Sequence, residues 1–151
     1  TKEVSSLITK ITGIDNDMLV GAPPLKPVLE QFIDFCGEGA SLIAHNAQFD
    51  IPWLLSSLLR HKMSHTFKQA LCTLNWAKQQ EEGKRSLGAL SKKYNIGHEN
   101  AHRALADAVV TKQLYFIYEQ QGSDNIPFET MDRYVEMSKK VVKQAPDFHQ
   151  N

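Results

Sequence analysis

Neither sign of charge dominates this chain, because its 17 lysine and arginine residues are balanced by 17 aspartate and glutamate residues. Because the chain has no net positive charge, it is not expected to bind nucleic acid through broad contacts with phosphates. A metal-dependent site can still bind a strand end locally. Cysteine is scarce as well. Cys36 and Cys72 lie too far apart for a zinc knuckle or a redox pair, which predicts two free buried thiols in a reducing compartment and hence a cytoplasmic protein.

Long apolar runs, secretion signals and repeats are also missing from these residues. No segment approaches the roughly 20 apolar residues that a membrane-spanning helix requires. No secretory signal pattern is present either. We therefore expect no membrane partner.

The composition that remains is ordinary, with 42% hydrophobic and 23% charged residues in a chain of 151. Such values are typical of one globular domain with a real core. Strand-like runs alternate with amphipathic segments, which predicts an α/β fold. Helices are expected over about 25–36, 49–60, 74–80, 86–95, 101–121 and 128–143, after a short helix and turn before residue 20.

The predicted sheet is too small to be stable by itself. Residues 41–44 are interpreted as a buried strand, and a weaker strand signal covers residues 69–73. An isolated buried strand leaves backbone N–H and C=O groups unpaired, at a cost of about 1–3 kcal/mol each. The rest of the sheet must therefore come from residues outside this chain or from another chain, and an open edge makes a homodimer more favourable than usual.

The first candidate motif covers residues 44–50, with the sequence AHNAQFD. Asp50 follows the predicted strand at the start of a helix, and ligands of open α/β sheets collect at strand ends. Asn46 is placed to stabilise the turn, and Phe49 to pack under the site or against a base. The alternative is that Asp50 is an ordinary helix N-terminal acid with Asn46 as its cap.

The second candidate motif covers residues 102–108, with the sequence HRALADA. Positions five apart in a continuous helix are roughly 140° out of phase, so His102 shares a face with Asp107 only if it lies in the loop before the helix. Residues 97–100 have the composition of such a turn. A histidine there could take a proton from water near neutral pH. The alternative is a surface histidine beside an exposed helix acid.

Taken together, the two motifs resemble the histidine subgroup of the DEDD-type 3′–5′ exonucleases, the superfamily of bacterial proofreading subunits and ribonuclease T. The resemblance covers about residues 5–120. Further segments that fit it are 11–14 (ITGI), 72–74 (CTL, where the family often has Asp-Thr-Leu) and 86–90 (SLGAL).

This resemblance implies a ribonuclease-H-like fold and hydrolysis of phosphodiesters assisted by two Mg²⁺ or Mn²⁺ ions. By analogy, Asp50 and Asp107 would bind the metal ions and His102 would deprotonate the attacking water. The substrate would be a single-stranded DNA or RNA 3′ end, shortened to release nucleoside monophosphates. His45, Asn46 and Phe49 would line its approach.

The chain departs from the family at one point, because the Asp-x-Glu motif of the first strand has no counterpart. Two acids offset only two of the four positive charges of two divalent ions, and Asp15, Asp17 or Glu99 could substitute only by accident. We expect an exonuclease-like domain over residues 1–122 that lacks its first strands and is inactive alone, followed by a helical extension over 123–151. The alternatives are an inactive module that binds nucleic acid or protein, and a partner-docking role for the C-terminal helix.

Overall fold

A computed structural model describes residues 3–98, 102–122 and 125–144 of the chain. It alternates helices with two short strands in this order: α1 (Ser6–Thr12), α2 (Asn16–Leu19), α3 (Leu25–Cys36), β1 (Ser41–Ala44), α4 (Ala47–Arg60), β2 (Gln69–Cys72), α5 (Thr73–Gln80), α6 (Leu87–Lys93), α7 (Ala104–Gln120) and α8 (Asp132–Gln144). The predicted α/β class is confirmed.

The two strands are parallel and in register from Ser41 opposite Gln69 to Ala44 opposite Cys72. Because the two strands run in the same direction, their carboxyl ends lie at the same end of the sheet, which is where ligands of α/β proteins bind. Helix α4 makes the crossover between them. The residues that follow each strand, His45 and Thr73, are therefore brought close together.

The two edges of this small sheet differ. The far edge of β2 is covered at Ala70, which exchanges two backbone hydrogen bonds of 2.7 and 2.9 Å with Glu129. Strand β1 pairs only with β2 among the described residues. The prediction of a buried strand is wrong for β1, since Ser41 and Ile43 are exposed. The physical reason is that side chains alternate between the two faces of a strand: Leu42 and Ala44 pack against the apolar cluster of α3 and α4, and the face with Ser41 and Ile43 stays open to solvent.

Helices pack on both faces of β2, whose side chains alternate between two apolar clusters. Ala70 and Cys72 join a cluster formed with α3, α4 and α8. Leu71 points to the opposite side, into a cluster with α5, α6 and α7 that contains the fully buried Trp76 and Tyr118. The result is a layer of strands between two layers of helices.

Helix α8 packs along α4, and its Tyr134 side chain is completely buried there. Arg60 at the end of α4 also donates a 3.2 Å hydrogen bond to the carbonyl of Val141. The predicted C-terminal helix is thus present and lies against the rest of the described chain, although it begins later than expected because residue 129 pairs with β2. The division into 1–122 and 123–151 stays a prediction.

Cys36 and Cys72 are both free thiols, and only Cys72 is fully buried. No helix in the described ranges combines the length and the apolar character that crossing a bilayer demands.

Candidate active site

Asp50 is placed by the tight turn between β1 and α4. Asn46 adopts a left-handed conformation (φ 75°), which reverses the chain so that α4 begins at Ala47, two residues before the predicted start. The backbone N–H of Ala47 contacts Cys72 Sγ at 3.4 Å, tying the turn to β2. Asn46 does not cap the helix with its side chain, and its Oδ1 instead accepts a 3.1 Å hydrogen bond from Gln48. Asp50 lies in the first turn of α4.

His102 and Asp107 come from the loop before α7 and from its first turn. Helix α7 begins at Ala104, after a left-handed His102 (φ 68°). His102 therefore lies outside the helix, which is the placement that lets it share a face with Asp107 five residues later. The predicted start of this helix at residue 101 is wrong, because residues 102 and 103 form a turn and α7 begins only at Ala104. The backbone N–H of His102 donates to Asp107 Oδ1 at 3.3 Å.

The two motifs meet in one open cavity of about 720 Å³ beside the carboxyl end of β1. Its lining contains five of the six residues singled out from the sequence: His45, Asn46, Asp50, His102 and Asp107. Phe49 is the exception. It is 62% exposed and does not line the cavity.

Asp50 is exposed to solvent, but its surroundings still raise the pKa of its carboxyl group. Partial burial raises the pKa of Asp50, a hydrogen bond from its own backbone N–H opposes that rise, and the negative charge of Asp107 adds to it. Two like charges held near each other form a site whose repulsion a cation would relieve.

His45 has a different environment from His102. Its Nε2–H donates to the carbonyl of Arg85 at 2.9 Å, and its Nδ1 lies 3.0 Å from the hydroxyl of Thr73. Burial lowers the pKa of His45, and the hydrogen bond to the Arg85 carbonyl raises it by a smaller amount. Both ring nitrogens are therefore used to join the end of β1 to α5 and to the loop before α6. Its contact with substrate stays a prediction.

The carboxylate oxygens in the cavity are suitable ligands for a divalent cation, but there are too few of them to complete its coordination. Carboxylate oxygens are the ligands that Mg²⁺ and Mn²⁺ prefer. Within the described ranges, no cluster of three or more His, Cys, Asp or Glu side chains could hold a metal ion. Asp15 caps α2 through a 2.9 Å bond from Met18, Asp17 lies within α2, and neither lines the cavity. Glu99 lies outside the described residues.

Sequence reasoning missed two parts of this site. One is His98, interpreted only as part of a turn, whose Nε2 lies 2.6 Å from Asp107 Oδ1. The other is the continuation of the cavity along α7, where Thr111, Lys112 and Tyr115 follow Asp107 by four, five and eight residues. Helical periodicity from Asp107 could have identified that face.

The comparisons with known proteins agree on one family. Residues 1–115 match the model of a family described as exonuclease (RNase_T). The DNA polymerase III PolC-type of Streptococcus thermophilus is 34% identical over 130 residues, which cover 82% of this chain and 9% of that protein. The DNA polymerase III PolC-type of Streptococcus pyogenes serotype M18 is 33% identical over 157 residues, covering 98% of the chain and 11% of that protein. The chain thus spans about a tenth of the length of these relatives.

Proposed function

The chain belongs to this exonuclease family, and from that premise we propose that it is a nuclease module of the proofreading type. It would remove nucleotides from a single-stranded 3′ end of DNA or RNA with the help of Mg²⁺ or Mn²⁺, as the histidine subgroup of DEDD-type enzymes does. The observation that carries this proposal is the meeting of Asp50, His102 and Asp107 in one cavity at a strand end.

Each of these three residues has a role that its position supports. Asp50 and Asp107 are the metal ligands, since they are the two acids that line the cavity. A bound divalent cation would lower the pKa of water and offset negative charge on the phosphate. His102, on a turn beside the two acids, accepts the proton of the attacking water.

The reaction that these roles support is hydrolysis of the last phosphodiester bond. The water oxygen bonds to phosphorus, its proton passes to His102, and the bond from phosphorus to the 3′ oxygen of the preceding nucleotide breaks. That oxygen takes a proton from solvent, and a nucleoside 5′-monophosphate leaves. Lys112, an exposed cation in the lining, is placed to attract the phosphate.

We further propose that the sheet is completed at the open edge of β1, in a ribonuclease-H-like arrangement, by strands that carry an Asp-x-Glu pair. Ile43 on β1 and Phe116 on α7 both line the cavity, and they are 38% and 45% exposed. Additional strands would cover these apolar side chains and supply the acids that a two-metal site needs. A second copy of the chain paired through the same edge is the competing arrangement, and the mass of the assembly in solution distinguishes the two.

The experiment compares shortening of 5′-labelled single-stranded DNA and RNA of one sequence by the 151-residue chain alone and by the same chain completed with strands that carry an Asp-x-Glu pair. We expect 3′-end shortening with mononucleotide release by the completed protein in Mg²⁺ or Mn²⁺. Asp107→Asn should abolish it, while Asp34→Asn, which changes an exposed acid on α3, should not. Cleavage unaffected by Asp107→Asn would contradict the proposal, and strand binding without any cleavage would favour the inactive binding module instead.

A further inference from the structure

We propose that His98 is a positioning residue that holds the carboxylate of Asp107 in the orientation needed to bind a divalent cation. This inference rests on the proposed function, because it assigns a task within the same site. His98 lies outside both motifs that identified the site. It follows α6, nine residues before Asp107.

The contact between His98 and Asp107 is short and shielded. Nε2 of His98 lies 2.6 Å from Oδ1 of Asp107, a distance typical of a strong, charge-assisted hydrogen bond. The imidazole side chain is only 10% exposed, whereas the carboxylate is 35% exposed. A ring with so little freedom fixes the group to which it donates.

The hydrogen bonds to Asp107 are also distributed unevenly over its carboxylate. Both bonds that the described residues make to it end on Oδ1, from His98 Nε2 and from the backbone N–H of His102. Two donors on one oxygen define the rotation of the carboxylate, and no described residue donates a hydrogen bond to Oδ2, the oxygen that we propose as the metal ligand. Hydrogen bonds of this kind orient ligating carboxylates, and losing one typically weakens metal affinity about 10–100-fold.

The first test needs no metal. In a spectrum of histidine ring nitrogens by NMR, the Nε2-bound proton of His98 should be protected from exchange and should shift or disappear when Asp107 is replaced by alanine. His98→Gln assigns the signal by removing it. Ring signals of His98 that are unchanged in the Asp107→Ala protein would overturn the positioning role.

The second test measures binding of Mn²⁺ alone, from the free-ion signal in electron paramagnetic resonance. We expect His98→Ala to weaken binding about 10–100-fold. His98→Gln should recover most of it, because the glutamine amide can donate to the same oxygen. That recovery separates the lost hydrogen bond from lost packing. His65→Ala is the matched control, since His65 packs on Phe67 and does not line the site cavity.

The outcomes separate this inference from the proposed function. If His98→Ala binds Mn²⁺ as tightly as the wild type or more tightly, the positioning role of His98 is wrong and the proposed function is unaffected. Tighter binding would mean that His98 competes with the cation for Asp107. If Asp107→Ala binds Mn²⁺ as tightly as the wild type, the proposed metal site is wrong and the inference fails with it.

Discussion

We expect replacement of Glu81 by glutamine to destabilise the fold, because Glu81 is a buried carboxylate on which two elements depend. Its side chain is 1% exposed, and it accepts hydrogen bonds from the ammonium of Lys93 and the hydroxyl of Tyr94. Its backbone carbonyl also accepts a 2.8 Å bond from Nε of Arg85. Since the Arg85 carbonyl holds His45, Glu81 supports the loop that borders the candidate site.

The size of the effect follows from how each donor is solvated after the change. Lys93 is 55% exposed and regains water, so we assign its loss no energy. Tyr94 is half-buried, and a hydrogen bond to a charged group contributes about 1.5–3 kcal/mol. We therefore expect Glu81→Gln to lower the free energy of unfolding by about 2 kcal/mol at neutral pH.

The same substitution predicts a pH dependence. Burial raises the pKa of Glu81, but the hydrogen bonds from Lys93 and Tyr94 outweigh that effect, so the pKa lies below its ordinary value of 4.5. A carboxyl group with a lowered pKa stabilises the fold fully above its unfolded-state pKa, and that stability is lost as the pH falls through the folded-state value. The difference between wild type and Glu81→Gln should therefore shrink below about pH 4.5.

The assay is urea unfolding at several pH values, with Glu82→Gln as the matched control. Glu82 is the exposed neighbour of Glu81, and its replacement should change the free energy of unfolding by no more than about 0.5 kcal/mol. Equal stability of the two variants, or a difference that does not depend on pH, would refute the reasoning.

Three further predictions concern the site and α8. Asp50→Asn should abolish nuclease activity of the completed protein and change the free energy of unfolding by less than about 0.5 kcal/mol, because Asp50 is exposed; nuclease activity retained by the folded variant would contradict the role of Asp50 as a ligand. His102→Ala should slow hydrolysis about 10²–10⁴-fold with Mn²⁺ binding retained, and loss of the metal as well would overturn its assignment as base. Tyr134→Ala should lower the free energy of unfolding by about 3–5 kcal/mol, since Tyr134 is fully buried against α4. A loss of less than about 1 kcal/mol in denaturant unfolding would contradict this packing.

Local patterns in the sequence were sufficient to predict most of the helices and strands. Helix α3 and strand β1 have the predicted bounds, and Ser86 caps α6 as expected, with its Oγ 3.3 Å from the N–H of Ala89. The bounds of α3 and β1 were predicted from periodicity, and the Ser86 cap is local as well, since Ser86 lies three residues from its partner. The early start of α4 was not predicted, because it depends on the left-handed backbone of Asn46.

Features that depend on distant residues were harder to predict. The pairing of Ala70 with Glu129 joins positions 59 residues apart, and residue 129 was predicted to lie in the C-terminal helix. The contact of His98 with Asp107 was missed for a related reason, since it depends on the path of the loop between α6 and α7. The meeting of Asp50 and Asp107 was predicted from the family resemblance, which supplies long-range information that periodicity lacks.

Whether Asp50 and Asp107 bind a cation is measured most directly by the anomalous scattering of Mn²⁺ in a crystal of the protein soaked with the ion. We expect an anomalous peak in the cavity, within coordination distance of the carboxylates of Asp50 and Asp107. A bound ion that contacts neither carboxylate, or a cavity that stays empty at saturating Mn²⁺, would contradict it.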